Sequence, residues 1–452
     1  MSKTREKKQG KGTVSMPLVN PNAAGIDIGD TLLSVAIPEG RATESVKNFS
    51  AFTCDLRSIS HWLQGHGIET VAMESTGIYW KNLYSVLVQD GFEVYLVNAK
   101  HTKNVTGRKT DESDAQWIQR LHSCGLLNSS FLPDDQTETL RTLVRFRKSL
   151  TQDSTRYILR MQKSLESMNI KISTVISDLV GKTGTAIVKA IIDGERNPVN
   201  FLPFVDGRIK ASREVILKSL EGNWRKEHLI TLKQSFELYN FIQQQIIDCE
   251  KEIERTLQNY MASKNDGVIE SVEEVKKKSK KKTKNHPLFN TRSYLKGIHK
   301  VDVIEIFGIS ETSALEILAE TGTDLSKWAT EDHFVSWLNL CPNNKISGGK
   351  LISSSRLKKK PNTASQAFRA AANSVQRSDN WLGDYFRRMK AKGGNKYAIV
   401  ATARKIAIIY YKMVRYKEAF KPVVLEEYKE KYRLQKIKYL ERKLELLKTK
   451  AA

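Results

Sequence analysis

AAGIDIGDTLLSVAIP, residues 23–38, is the stretch that decides the fold class. Two short apolar, partly alternating runs flank the turn residues Gly29 and Asp30, a pattern that predicts two antiparallel strands. ATESVKNFSAF (42–52) supplies a third strand. Beyond it the period changes: a helix around Leu56 to His66, a strand in ETVAM (69–73), a helix from Ile78 to Gln89, a strand in FEVYLVN (92–98), and a helix beginning near Asp111. Three strands followed by alternating helices and strands is the order of an RNase H-like α/β fold.

On the N-terminal side, residues 1–20 are polar, basic and aperiodic, and are expected to form a disordered arm. After Pro133 the pattern becomes helical, with Leu140, Leu143, Leu150, Ile158, Met161 and Leu165 on roughly one side, which predicts an extended helix or coiled coil. Amphipathic helices continue to Tyr260. The segment KNDGVIESVEEVKKKSKKKTKNHP then loses periodicity and carries seven lysines between Lys276 and Lys284. A second folded unit starts near Leu295 and is expected to run through several short helices to about Phe420, followed by a basic helical tail. The expected organisation is a basic arm (1–20), an α/β domain (21–135), a helical coiled-coil region (136–262), a basic linker (263–290), a mostly helical domain (291–420) and a basic C-terminal helix (421–452).

Lys and Arg number 74 against 50 Asp and Glu, a formal charge of +24 over 452 residues. Such an excess suits a polyanion better than a small acidic metabolite and makes nucleic acid the first partner to consider. No apolar run approaches the ~18 residues of a membrane span, so an intracellular protein is expected. The four cysteines form no C-x-x-C pair and signal neither zinc nor a disulfide framework.

Four acids recur at positions suited to phosphoryl-transfer chemistry. Asp27 alternates with Ile26 and Ile28 on the first strand, and Glu74 directly follows the ETVAM strand, at the carboxyl end where α/β sheets place their sites. Asp111 and Asp114 in KTDESDA are three apart, so a helix would put both on one face. Hard divalent cations take oxygen ligands, and a metal pair can stabilise both the attacking and the leaving oxygen of a phosphodiester. The bland alternative for each is a cap: Asp27 or Asp30 at a turn, Asp111 at a helix N-terminus with Asp114 in its first turn.

Downstream, Ser347 sits in ISGGK (346–350), where two glycines remove side chains from the approach to its hydroxyl. Lys350, Arg356, Lys358, Lys359 and Lys360 follow within a short reach and would bind a nucleic-acid phosphate. An ordinary loop ahead of a DNA-binding face is the competing reading. The spacing is not that of a P-loop, and no G-x-S-x-G elbow is present.

Taken together, GIDIG, MESTGIYW, the KTDESDA block preceded by Asn98, Lys100 and Arg108, the serine before a glycine pair, and WLGDYFRRMKAKGGNKYAIVATARKIAIIYY resemble the DEDD transposases of the IS110 insertion sequences. The resemblance implies an N-terminal RuvC-like domain whose Asp27, Glu74, Asp111 and Asp114 hold Mg²⁺ or Mn²⁺, and a C-terminal transposase domain whose Ser347 is the nucleophile, with Ser353, Ser354 and Ser355 as rivals. It further implies a composite acid–serine site, a covalent phosphoserine intermediate, and dimers that assemble into a tetramer. The implied partners are double-stranded donor and target DNA and a structured non-coding guide RNA (a bridge RNA), in the bacterial cytoplasm at the nucleoid. This chain departs from the pattern after Lys350, where many members have glycine-isoleucine-serine-lysine and it has SSSRLKKKPNTASQAFRAAANS. Trp80, Trp117, Trp328 and Trp381 are candidates for stacking on nucleic acid, although tryptophans at helical spacing usually belong to a core. Two competing functions stand beside this one: a metal-dependent, junction-resolvase-like endonuclease in which the acids activate water, and a non-catalytic nucleic-acid scaffold.

Overall fold

A computed structural model of the chain describes residues 17–98, 113–264, 285–356 and 362–451. Asp111, Lys100, Arg108, Lys358, Lys359, Lys360, most of the basic arm and the Lys276–Lys284 run lie outside the described residues, as do the side chains of Ser355 and Arg356. The chain divides into two compact units, Met1–Leu132 and Pro133–Ala452.

The first unit is built on a five-stranded sheet of β1 (Ala23–Ile28), β2 (Leu32–Ala36), β3 (Val46–Ser50), β4 (Thr70–Glu74) and β5 (Glu93–Val97), in the order β3-β2-β1-β4-β5. β1, β2 and β3 pair antiparallel, whereas β1–β4 and β4–β5 are parallel. This is the mixed topology expected of an RNase H-like fold. The helices are α1 (Thr53–Gly65), α2 (Trp80–Gln89) and α3 (Asp114–Ser123). In α1 the buried residues Leu56, Ile59, Ser60 and Leu63 follow the i, i+3, i+4, i+7 spacing of one helical face. Leu56, Ile59 and Leu63 join Ala24, Ile26 and Ile28 of β1 and Leu83 and Leu87 of α2 in one core on one side of the sheet. α2 starts at Trp80 rather than Ile78, because Gly77 (φ 56°) turns the chain and leaves Ile78 and Tyr79 exposed.

The other side of the sheet is covered by α3, whose Trp117, Ile118 and Leu121 pack with Ala72 and Val97. A Cβ at Gly25 would sit 2.2 Å from the Gln119 backbone nitrogen, so only glycine lets the helix rest on β1 at that point. The far end of α3 is pinned by His122, which is 1% exposed. Its Nε2 lies 2.9 Å from the Thr70 hydroxyl, and that hydroxyl donates to the Glu93 carbonyl, so the imidazole Nε2–H is the donor. Burial pushes the His122 pKa down to about 4, against the pull of the Glu93 charge. His299 in the second unit is fully buried and is pushed down to about 3. Both rings therefore bind fewer protons folded than unfolded, so the stability they permit is complete above about pH 6.5 and is lost as pH falls towards 4. Thermal melts at pH 7 and pH 4.5 should show His122→Gln losing less of its first-unit stability over that interval than the parent; an equal loss would assign the acid sensitivity elsewhere.

The second unit is organised by two long antiparallel helices, α4 (Asp135–Ser167) and α7 (Lys226–Lys264). Their antiparallel course is marked by Thr137–Tyr260, Arg147–Glu250, Ser154–Gln243 and Ser164–Thr231 contacts in sequence. At one end they carry a small helical cluster, α5 (Lys182–Ile192) and α6 (Arg213–Ser219), around Ile187, Phe201, Met161 and Leu232. At the other end lie α8 (Thr291–His299), α9 (Glu311–Thr321), α10 (Glu331–Trp337), α11 (Thr363–Ser374), α12 (Trp381–Tyr416, broken at Gly394) and α13 (Leu425–Ala451). Arg145 grips Glu320 of α9 through two bonds of 2.8 and 2.9 Å, fastening α9 to α4.

One feature differs from the run of short helices expected here: a hairpin of β6 (Pro342–Ser347) and β7 (Lys350–Arg356) interrupts them, while the long α12 stretch is itself two helices that meet at Gly394. The hairpin strands are short and largely polar, so their alternation is too weak to be read against a loop. Three of the four tryptophans considered for stacking, Trp117, Trp328 and Trp381, are 6–8% exposed and belong to cores, and Trp80 packs edge-on against Tyr84. Among the described residues no helix is long and apolar enough to cross a membrane.

Candidate active site

The acids are brought to one end of the sheet by the pairing of its interior strands β1 and β4. The parallel register runs through Gly25↔Ala72 and Ile26↔Met73, so the next residues along the two strands are Asp27 and Glu74. Strand neighbours in this register are about 4.8 Å apart. Side-chain alternation fixes the face. Gly25 and Ala72 point towards α3, hence Asp27 and Glu74, two residues on, point to the same side, while Ile26 and Ile28 point into the opposite core. Both acids are half-buried.

α3 brings Asp114 to the same end. The helix crosses β1 antiparallel: Ser123 at its C-terminus accepts from the Val19 and Asn20 backbone just before β1, Gln119 donates to the Ala23 carbonyl, and Ala115 lies over Gly25. Asp114, the first residue of the helix and the one before Ala115, is therefore carried to the end of β1 that holds Asp27. The capping role weighed for Asp111 is filled by Ser113, whose hydroxyl accepts from Gln116 N while Gln116 Oε1 accepts from Ser113 N, a complete capping box. Asp114 is exposed in the first turn, where the helix dipole favours a carboxylate.

Three of the four acids thus share one face and one end of the sheet; the fourth, Asp111, lies outside the described residues. Among the described residues no group of three His, Cys, Asp or Glu side chains is gathered at metal distance. The donors themselves are hard oxygens, the kind Mg²⁺ and Mn²⁺ take. The small residues Ala23, Gly25, Thr70 and Ala72, alternating up to the two acids, are the sequence signal for where α3 would lie.

The serine is placed quite differently. Ser347 is the last residue of β6 and pairs with Lys350 across a two-residue turn of Gly348 (φ 54°) and Gly349 (φ 74°). Two successive positive φ values make this the tight hairpin turn that suits the twist of the strands, a conformation open to Gly-Gly at little cost. Ser347 and Lys350 are both exposed. The register Lys345↔Ser353 and Asn344↔Ser354 puts Lys345 and Ser353 on the face of Ser347 and Lys350, and Asn344, Ser354, Ile346 and Leu351 on the other. The hydroxyl is thus flanked by two lysines on its own face. Ser354 points away from it and donates to Asn344 Oδ1 at 2.7 Å, whereas Ser353 stands on the face of Ser347 and the Asn343↔Ser355 pair occupies the equivalent register position further from the tip. Lys345 was missed in the sequence, because the residue before Ile346 acquires its meaning only from the register.

Among the described residues, neither of the histidines nearest in sequence supports the serine. His299 is 0% exposed and lies 3.3 Å from the Tyr410 hydroxyl, and His333 Nδ1 lies 3.1 Å from Thr330 Oγ1 at its own helix cap. Both are structural.

Two family models match the chain. Residues 24–170 match the DEDD domain of IS110 transposases, described as a transposase. Residues 303–387 match the domain described as transposase, IS116/IS110/IS902 family. The first match covers Asp27, Glu74, Asp111 and Asp114, the second covers Ser347, and together they take in just over half of the chain. No curated protein matches it.

Proposed function

Since the chain belongs to the IS110-family transposases, and so is an enzyme acting on DNA, we propose that it cleaves and rejoins donor and target duplexes through a covalent phosphoserine link at Ser347. The observation that carries this reading is the hairpin tip, which presents one hydroxyl on a narrow exposed turn with Lys345 and Lys350 on the same face. In the step proposed, Ser347 Oγ attacks the phosphorus, an Oγ–P bond forms, and the P–O bond to one DNA strand breaks. The hydroxyl proton passes to a carboxylate of the acidic set, the departing DNA oxygen takes up a proton, and the two lysines balance the charge that builds on the phosphoryl oxygens. Reversal by a new strand end rejoins DNA without an external energy source, because one phosphodiester replaces another.

Asp27, Glu74 and Asp114, with Asp111, would hold Mg²⁺ or Mn²⁺, which supplies Lewis-acid polarisation of a phosphoryl oxygen when bound. The acids and the serine act on the same phosphodiester in the assembled DNA complex, whichever copy supplies each. Two duplexes require more than one catalytic centre, and a tetramer of two dimers meets that need. Recognition of donor and target is assigned to a structured non-coding RNA, in keeping with a charge of +24 that suits two polyanionic partners.

The test supplies Mg²⁺, donor and target DNA and the RNA transcribed beside the gene, and looks for protein–DNA adducts on denaturing gels and by mass. An RNA-dependent adduct on Ser347, absent from Ser347→Ala and Asp27→Ala and retained in Ser354→Ala, is the expected result. Free nicks that persist in Ser347→Ala and vanish in Asp27→Ala would make the protein a metal-dependent nuclease instead.

A further inference from the structure

The face of the hairpin opposite Ser347 has no role in the chemistry above, yet it is the more unusual of the two. Ile346 and Leu351 are paired across the strands and are 65% and 59% exposed, and a register shift between Lys345 and Ile346 inserts Ile352, 68% exposed, as an extra residue beside them. Three large aliphatic side chains at the tip of a two-stranded ribbon are costly to leave in water. The bulge that adds the third also twists the ribbon locally, as bulges beside functional sites do.

We propose that this aliphatic face is a DNA-reading surface: when Ser347 meets its phosphate, Ile346, Leu351 and Ile352 lie in a groove of the same duplex, against the bases next to that phosphate. The inference rests on the reading of Ser347 as the residue that attacks DNA. The ribbon is one strand layer thick, so whatever covers Ile346 and Leu351 must lie within a side-chain length or two of the phosphate facing Ser347. Lys345 and Lys350, on the serine face, point the ribbon's cationic side at the sugar–phosphate backbone. The aliphatic side then faces inward, towards the base pairs. A two-stranded ribbon fits the major groove, where aliphatic side chains pack on thymine methyls, and aliphatic residues also wedge between base steps from the minor groove. Asn344 and Ser354, hydrogen-bonded to each other further from the tip on the same face, return the ribbon to polar character where the groove would end.

The experiment replaces Leu351 in the full-length chain with the photoreactive p-benzoylphenylalanine and irradiates it with duplex DNA spanning the gene's flanks and the RNA transcribed beside the gene. The expected product is a cross-link to DNA that maps within about two nucleotides of the Ser347-linked phosphate, with no such product from the same residue at Phe52. In parallel, Ile346→Ser with Leu351→Ser should lower the yield of the Ser347 adduct about tenfold or more at an unchanged melting temperature. A cross-link to a second copy of the chain, or no cross-link while the parent still forms its adduct, overturns the DNA-reading surface and leaves the serine assignment standing. A DNA cross-link without a Ser347 adduct overturns the serine assignment and retains the surface as a DNA contact; absence of both products overturns the two together.

Discussion

Asp27→Asn is expected to slow DNA cleavage by about 10³-fold or more while leaving the fold intact. The amide has the volume of the carboxylate, and position 27 lies within β1, paired with Ser34 of β2 and flanked by the buried Ile26 and Ile28. What the substitution removes is one negatively charged oxygen donor from the end of the sheet shared with Glu74 and Asp114. A donor that helps to hold a divalent cation contributes several kcal/mol of transition-state stabilisation, and each ~1.4 kcal/mol is a factor of ten in rate. The check is the rate of strand cleavage under single-turnover conditions, together with a thermal melt. Cleavage within tenfold of the parent would remove Asp27 from the site, and a large drop in melting temperature would recast it as a structural acid. Glu74→Gln should behave in the same way, since the two positions are adjacent in the parallel register.

Glu250→Ala is expected to destabilise the second unit by about 3–5 kcal/mol. Glu250 on α7 and Arg147 on α4 are 3% and 6% exposed and are joined at 2.6 and 2.8 Å. The same carboxylate accepts from the Leu288 backbone at 2.8 Å, and the same guanidinium donates to the Asn285 carbonyl at 3.0 Å. One ion pair thus holds the two long helices to each other and to the chain that leads into α8. Removing the carboxylate leaves a guanidinium in a dry interface and a backbone N–H without its acceptor, and both losses add to the cost. Replacing both partners, as in Arg147→Met with Glu250→Met, removes the buried charge altogether and should recover most of the loss. Chemical denaturation of the parent, Arg147→Met, Glu250→Met and the double variant measures the coupling; a single variant no less stable than the double would show that the pair is not what joins the helices.

The acidic end of the sheet and the serine were legible in the sequence to different depths. Asp27 and Glu74 could be placed because each ends or alternates within a strongly apolar strand, and strand alternation is a local property. Asp114 could be put on a helix, but its approach to Asp27 depends on α3 crossing β1 at Gly25, a contact between residues about 90 positions apart. Ser347 stands out by its glycine pair and by resemblance to a family, whereas the weak alternation of its flanking residues does not separate a hairpin from a loop. Register alone separates Ser353 from Ser354 and brings Lys345 and the aliphatic face into view, and register follows from a Gly-Gly turn whose two positive φ angles leave no mark in hydropathy.

The sequence by itself determined the order and type of most elements, the antiparallel-then-parallel logic of the first unit, the long helices of the second and the places of Asp27 and Glu74 on their strands. These follow from periodicity and composition within a dozen or so residues, which is the range over which backbone geometry imposes its own repeat. Tertiary structure alone decided which acids share a face and end of the sheet, that Trp117, Trp328 and Trp381 serve cores, that Arg147 and Glu250 join distant helices, and which side of the hairpin carries the serine. Those outcomes depend on which segments meet across the chain, and that is set by burial and steric fit summed over many contacts, information that no single stretch of residues contains.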